Sequence, residues 1–133
     1  MQSKRGKEVL DLFGEKIISQ ILDRYYKWIQ IEINDGIKNP TKIHFNDIFV
    51  KLNADEKKLL QQYILNHFDS FLFDMLGFFE ENTEFRLYFE NESERIDLSK
   101  ESENFKAEPI INGGWIDRFS RYKAWKEESR SNE

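Results

Sequence analysis

Apolar residues recur at steps of three and four near the start of the chain, from about residue 7 to residue 31. The stripe consists of Leu10, Phe13, Ile17, Ile21, Tyr25 and Trp28, and the opposite face carries Asp11, Glu15, Lys16, Asp23 and Lys27. Because such steps place side chains on one side of an α-helix, the pattern predicts a long amphipathic helix that buries the stripe. The pattern stops at Asn34-Asp35-Gly36, and Pro40 disfavours helix before about Lys42, so a connection is expected over 34–42.

Two more helices are predicted beyond this connection. The first is a short helix over 43–52, with Phe45, Ile48, Phe49 and Leu52 on one face and Thr41 or Asn46 as its N-cap. Asn53 and Glu56 have the spacing of a capping box, which predicts the start of a second long helix. Its predicted core face contains Leu59, Leu60, Tyr63, Ile64, Phe68, Phe71, Met75, Phe78 and Phe79. Leu65, Phe73 and Leu76 lie outside this arc, where they either pack against another element or form an exposed apolar patch.

The period changes to two after Glu80-Glu81-Asn82. Phe85, Leu87 and Phe89 alternate with polar residues, and a second short alternation at 95–98 completes a predicted β-hairpin over 84–98. Residues 99–112 are predicted to be a solvated loop. A C-terminal aromatic helix is then predicted up to about Lys126, from Trp115, Ile116, Phe119, Tyr122 and Trp125.

These elements predict an α+β fold that is predominantly helical: two long helices, a short helix and a C-terminal aromatic helix packed with one β-hairpin. At 133 residues with twelve Phe, the chain is expected to be one domain over 1–133, with 1–6 and 127–133 frayed. It has no cysteine, no signal-peptide pattern and no apolar run long enough to span a membrane, so we expect a cytoplasmic protein.

The few residues that could carry chemistry do not form a known motif. His44 and His67 lack the spacing of a zinc site, Asn112-Gly113-Gly114 lacks the pattern of a phosphate loop, and Ser120 has no histidine near it in sequence. No metal, cofactor or catalytic residue is therefore expected. An alternative is a small enzyme or ligand-binding domain with a pocket around His67, Asp74 and Tyr63.

Charge is distributed unevenly along the chain. The net charge is -5, which argues against a nucleic acid as the main partner, although the basic aromatic stretch over 115–126 has the composition of a single-strand platform. Residues 80–108 contain ten Asp or Glu against four Lys or Arg, a local charge of -6. Such a surface attracts a basic protein, so the predicted contact residues are Glu80, Glu81, Glu84, Glu90, Glu92 and Glu94, with Phe73 as an apolar anchor.

Two stretches, 67–74 (HFDSFLFD) and 114–120 (GWIDRFS), together with the acidic, cysteine-free and Phe-rich composition, resemble small bacterial immunity proteins of toxin–immunity systems. The resemblance implies a non-enzymatic protein that binds a cognate toxin, here a basic toxin domain, and blocks it as a stoichiometric inhibitor. A third possibility is a regulatory or scaffold subunit, for which a large exposed apolar patch or a homodimer would be the sign.

Overall fold

The N-terminal third of the chain forms a continuous helical rod. In the computed structural model, which describes residues 3–122, the rod consists of α1 (Lys4–Ile17), a π-helical turn (Ile18–Leu22) and α2 (Asp23–Asp35). The Ser3 hydroxyl caps α1 by accepting a 2.8 Å hydrogen bond from the Gly6 amide, so the helix begins inside the stretch predicted to fray. The rod ends at Gly36, whose φ of 96° lies in the region that glycine adopts without strain. The predicted long helix is confirmed.

The buried face of the rod is only partly the predicted one. The large apolar residues that the rod buries are Val9, Leu10, Ile18, Leu22, Tyr26 and Ile33. Ile21, Tyr25 and Trp28 were predicted to lie in the core, but each of these side chains is about half exposed. The π-helical turn explains the shift, because one extra residue in a turn moves every later side chain round the helix. Asp23, predicted to face water, is buried for the same reason.

A short helical segment follows the connection, as predicted, but it is less regular and less buried than expected. A 3₁₀ turn (Ile43–Phe45) leads into α3 (Asn46–Phe49), and both Phe45 and Ile48 are exposed. Neither predicted residue caps this segment. Instead the Asn46 amide group holds the backbone of Ile37, accepting from its N–H at 2.8 Å and donating to its carbonyl at 2.9 Å.

The second long helix, α4 (Ala54–Glu81), runs antiparallel to the rod. The predicted capping box is confirmed, since the Asn53 side chain accepts from the Glu56 amide and the Glu56 carboxylate accepts from the Asn53 amide, both at 2.9 Å. The antiparallel direction follows from two contacts between the helices. The Gln61 amide donates to the Asn34 side chain at 3.0 Å. The Tyr26 hydroxyl, about two helical turns before Asn34, donates a hydrogen bond to Asp69.

The core face of α4 differs from the prediction. Leu65 and Leu76, which lie outside the predicted arc, are 3% and 2% exposed. Within the predicted arc, Leu59, Tyr63, Phe71, Met75 and Phe78 are exposed, and Leu60, Ile64, Phe68 and Phe79 are partly buried. The reason is that the C-terminal part of the chain packs on the other side of α4, where the backbone amide of Lys106 donates to the Glu80 carboxylate.

A β-hairpin follows α4, as predicted. Its strands β1 (Tyr88–Glu90) and β2 (Arg95–Asp97) pair antiparallel with Phe89 opposite Ile96. Phe85, predicted to face inwards, precedes the first strand and is exposed. The prediction of a solvated loop over 99–112 is wrong, because this part of the chain contains 3₁₀ turns (Leu98–Glu101 and Phe105–Ala107) and Phe105 is fully buried.

The last described helix, α5 (Trp115–Phe119), is shorter than predicted. It ends at Ser120, where the buried Asp23 carboxylate accepts hydrogen bonds from the Ser120 hydroxyl at 2.6 Å and from the Arg121 amide at 2.9 Å. Trp115 is fully buried against α1. The remainder of the predicted helix, with Trp125, and the predicted frayed end over 127–133 lie outside the described residues. The fold is α+β and predominantly helical, as the sequence predicts.

Candidate protein-binding surface

A groove runs between the helical rod and α4, on the side of α4 away from residues 105–107. Its volume is about 540 Å³. The lining residues are Ile17, Ile21, Leu22, Tyr25, His67, Phe68, Phe71, Leu72 and Met75. Tyr25 and Phe68 join the two helices there, with ring centroids 5.3 Å apart. The groove is therefore an apolar furrow along the seam between two antiparallel helices.

Large apolar side chains surround this groove and extend beyond it. We call the set the aromatic face: Ile21, Tyr25, Trp28, Tyr63, Phe71, Met75, Phe78 and Phe85. Each member is between 43% and 66% exposed. Two ring contacts extend the face beyond the groove. Tyr63 packs on His67, which lines the groove, and Phe78 packs on Phe85 with ring centroids 5.6 Å apart. Contiguous apolar surface on this scale marks an interaction site in a water-exposed protein.

Charge is missing from the groove. None of its lining residues is Asp, Glu, Lys or Arg, and His67 contributes the one imidazole. The ring of Tyr63 meets that imidazole edge-on at 4.5 Å. An uncharged surface of this kind binds through apolar burial and shape, with little electrostatic attraction.

The alternative pocket around His67, Asp74 and Tyr63 is only partly assembled. The structure brings Tyr63 and His67 together, as described, but Asp74 does not line the groove. It lies instead at two shallow depressions that it shares with Phe73. His44 packs against Phe45, in the turn before α3. Over residues 3–122, no three His, Cys, Asp or Glu side chains form a group that could hold a metal ion.

Half of the predicted acidic contact residues take part in contacts within the chain. The Glu94 carboxylate accepts a 3.0 Å hydrogen bond from Arg5, and this bond lowers the pKa of Glu94. Glu90 forms a 3.3 Å ion pair with Arg95, and Glu80 accepts from the Lys106 backbone. These three carboxylates are therefore less available to a partner than the sequence suggests.

The other predicted contact residues are more accessible. Glu81, Glu84 and Glu92 are exposed. Phe73 is partly buried, and the Lys106 ammonium lies over its ring at 5.4 Å from the centroid. The acidic surface that remains is centred on the end of α4 and the start of the hairpin, beside Phe78 and Phe85.

A buried polar cluster holds residues 120–121 against the rod, and no pattern in the sequence predicts it. It centres on Asp23, whose carboxylate binds Ser120 and Arg121. Burial, together with the nearby Asp23 charge, raises the pKa of Tyr26, and the ring of Tyr122 packs edge-on against Tyr26 at 6.1 Å. These contacts serve the packing of the chain, because Asp23 and Tyr26 are almost completely shielded from water.

The aromatic face is the candidate surface that the sequence analysis did not predict. The predicted core stripes of both long helices supply most of its members. The signal that could have revealed it is the presence of a second apolar stripe beside the first. In the rod this is Ile18, Leu22, Tyr26, Ile29 and Ile33, and in α4 it is Leu65, Leu72 and Leu76. A helix in a two-layer fold buries one such stripe and leaves the other uncovered.

No helix over residues 3–122 combines the length and the apolar character needed to cross a membrane. No protein-family model, curated protein or solved structure matches the chain.

Proposed function

We propose that this chain is a non-enzymatic protein-binding module that contacts its partner through the aromatic face. The observation that carries the proposal is the half-exposed state of eight large apolar side chains around one groove. Leaving such side chains in water costs the chain about 1 kcal/mol or more each, which burial in a complex recovers. Tyr and Trp are also the residues that most often dominate the energy of protein interfaces.

A protein partner explains the size of the face better than a small ligand does. A compact molecule in the groove would cover Ile21, Tyr25, Phe71 and Met75, which line it. Trp28, Tyr63, Phe78 and Phe85 do not line the groove and would stay exposed. A surface that reaches beyond its own groove in this way suits a macromolecule.

A stoichiometric inhibitor of a basic toxin domain is the second candidate. It is favoured by the adjoining positions of two exposed rings, Phe78 and Phe85, and two exposed acids, Glu81 and Glu84. Aromatic anchors with an acidic rim suit a basic protein, since the rings supply affinity and the acids supply attraction at long range. In this candidate the resemblance to immunity proteins and the predicted acidic contacts are both retained.

The two candidates differ in which substitutions weaken binding. The full chain, carrying a tag, is used to capture partners from a native lysate, and each captured protein is purified and its affinity measured by calorimetry. The groove variant is Tyr25→Ser with Phe71→Ser. The charge variant is Glu81→Lys, Glu84→Lys and Glu92→Lys, and Lys38→Ser is the exposed polar control.

We expect the groove variant to lose affinity by at least about 30-fold, as truncation of an interface hot spot does, and the control to bind like the original chain. If the charge variant alone loses affinity, and does so most at low salt, the inhibitor candidate replaces the groove-based one. If neither variant weakens any reconstituted complex, the aromatic face is not a binding surface and the proposal fails.

A further inference from the structure

We infer that the partner on the aromatic face is a second copy of this chain, placed across a twofold axis. The inference rests on the proposed function, because it names the occupant of the same surface. Three properties of the face argue for a second copy: its area, the absence of Asp, Glu, Lys and Arg from its groove, and the shape that the two neighbouring helices give it.

The area of the face matches what one half of a stable dimer interface needs. Eight side chains of roughly 200 Å² each, about half exposed, present roughly 800 Å² of surface. A standard protein interface buries about 800 Å² on each partner. The exposed apolar side chains alone supply that area, without any contribution from the polar residues around them.

The charge pattern suits contact between identical surfaces. Across a twofold axis a residue near the centre meets its own counterpart, so a charged residue there would face a like charge. The groove at the centre of the aromatic face is lined by no Asp, Glu, Lys or Arg, although the chain as a whole has a net charge of -5. A contact through this face therefore keeps the acids of both copies at the rim, where water and salt screen their repulsion.

The shape of the face is also self-complementary. The rod and α4 lie side by side as two ridges with the groove between them. The members of the aromatic face are spaced by three or four residues along each ridge. On the rod they are Ile21, Tyr25 and Trp28, and on α4 they are Phe71, Met75 and Phe78. Side chains at this spacing on one copy fill the furrow of the other, as in a four-helix arrangement.

The test is the mass of the full chain in solution as a function of concentration, by sedimentation velocity and light scattering. We expect a particle of twice 16.1 kDa for the original chain. Tyr25→Ser with Phe71→Ser should weaken the dimer by at least about 100-fold, because each substitution acts twice in a symmetric interface. Phe45→Ser removes an exposed ring that does not line the groove, and it should leave the dimer unchanged.

Two additional measurements keep the result decisive. If the double variant does not fold, as judged by circular dichroism, Tyr63→Ser replaces it, because Tyr63 is 64% exposed and contributes little to the core. In a chain that carries Trp125→Phe, so that two tryptophans remain, emission from Trp28 should shift to shorter wavelength as the protein is concentrated, while the fully buried Trp115 contributes a constant signal.

A chain that stays monomeric at the highest attainable concentration overturns the inference, as does a dimer that the double variant and Tyr63→Ser both retain. The proposed function fails separately. If the chain is monomeric and substitution of Tyr25 and Phe71 weakens its binding to a reconstituted partner, the face binds a different protein and the proposed function stands. If the substitutions weaken no reconstituted complex, the face binds neither a second copy nor another protein, and the proposed function fails as well.

Discussion

The placement of α4 makes opposite predictions for two of its apolar residues. Leu76 is 2% exposed, so Leu76→Ala should reduce the free energy of unfolding by about 2–5 kcal/mol, the range for a buried leucine. Phe71 is 66% exposed, which leaves about a third of its surface, roughly 70 Å², in contact with the protein. At about 25 cal/mol per Å² this is worth about 1.7 kcal/mol, and the better helix propensity of alanine returns roughly 0.5 kcal/mol. Phe71→Ala should therefore cost only about 1 kcal/mol.

Urea unfolding followed by far-ultraviolet circular dichroism measures both values. The lowest workable protein concentration is used, because self-association through Phe71 would add stability that depends on concentration. At higher concentration the cost of Phe71→Ala should grow, whereas that of Leu76→Ala should stay constant. If Phe71→Ala costs as much as Leu76→Ala at low concentration, the two faces of α4 are assigned the wrong way round and the aromatic face does not exist.

Three further predictions concern the packing and the ionisable groups. A Cβ on Gly14 would lie 2.4 Å from the Trp115 ring, so Gly14→Ala should reduce the unfolding free energy by about 1–2 kcal/mol despite its gain in helix propensity. A Cβ on Gly77 would lie 3.5 Å from its nearest neighbour, the Lys106 side chain, so Gly77→Ala should raise the unfolding free energy by up to about 1 kcal/mol. The melting temperatures of the two variants should therefore move in opposite directions. Burial opposes ionisation of Asp97, but hydrogen bonds to its carboxylate outweigh burial and lower its pKa. The ionised carboxylate therefore adds to the free energy of unfolding above about pH 4, and this contribution is lost as the pH falls through the lowered pKa. Asp97→Asn should therefore flatten the acid limb of a melting-temperature profile, and an unchanged limb would contradict the assignment. Burial raises the pKa of Tyr26, so the stability that its neutral hydroxyl contributes is complete below about pH 10 and is lost as the pH rises towards the raised pKa. In urea unfolding, Tyr26→Phe should therefore lose less free energy of unfolding at alkaline pH than the original chain does. An equally steep loss in the variant would contradict the raised pKa.

The start of α4, the end of the rod and the β-hairpin were predictable from sequence because short-range chemistry decides them. Asn53 and Glu56 satisfy the free amides at the start of α4 by themselves, wherever the helix later packs. Gly36 ends the rod because its backbone conformation is costly for other residues. The alternation over 84–98 similarly predicted the hairpin, since the period of two is a property of the strand itself.

The candidate site was not predictable in the same way. The alternative pocket correctly grouped His67 with Tyr63, but Asp74 does not line the groove, and the sequence pattern had assigned Tyr63 itself to the core. The acidic contacts were predicted as a group, yet Glu94 and Glu90 pair with arginines of the chain, and Arg5 is 89 residues away from Glu94. Partners so distant in sequence meet only through the fold, so no local pattern reveals them.

The amino-acid sequence by itself determined the two long helices, the start of α4, the hairpin and the predominantly helical α+β class. Only the tertiary structure decided which apolar stripe of each long helix is buried. Both stripes are apolar enough to be covered, and the choice depends on the extra residue in the π-helical turn and on the packing of residues 105–107 against α4. The burial of Phe105, in a stretch of polar composition, has the same origin, because Phe13 of the distant helix α1 packs on it together with the nearby Trp115.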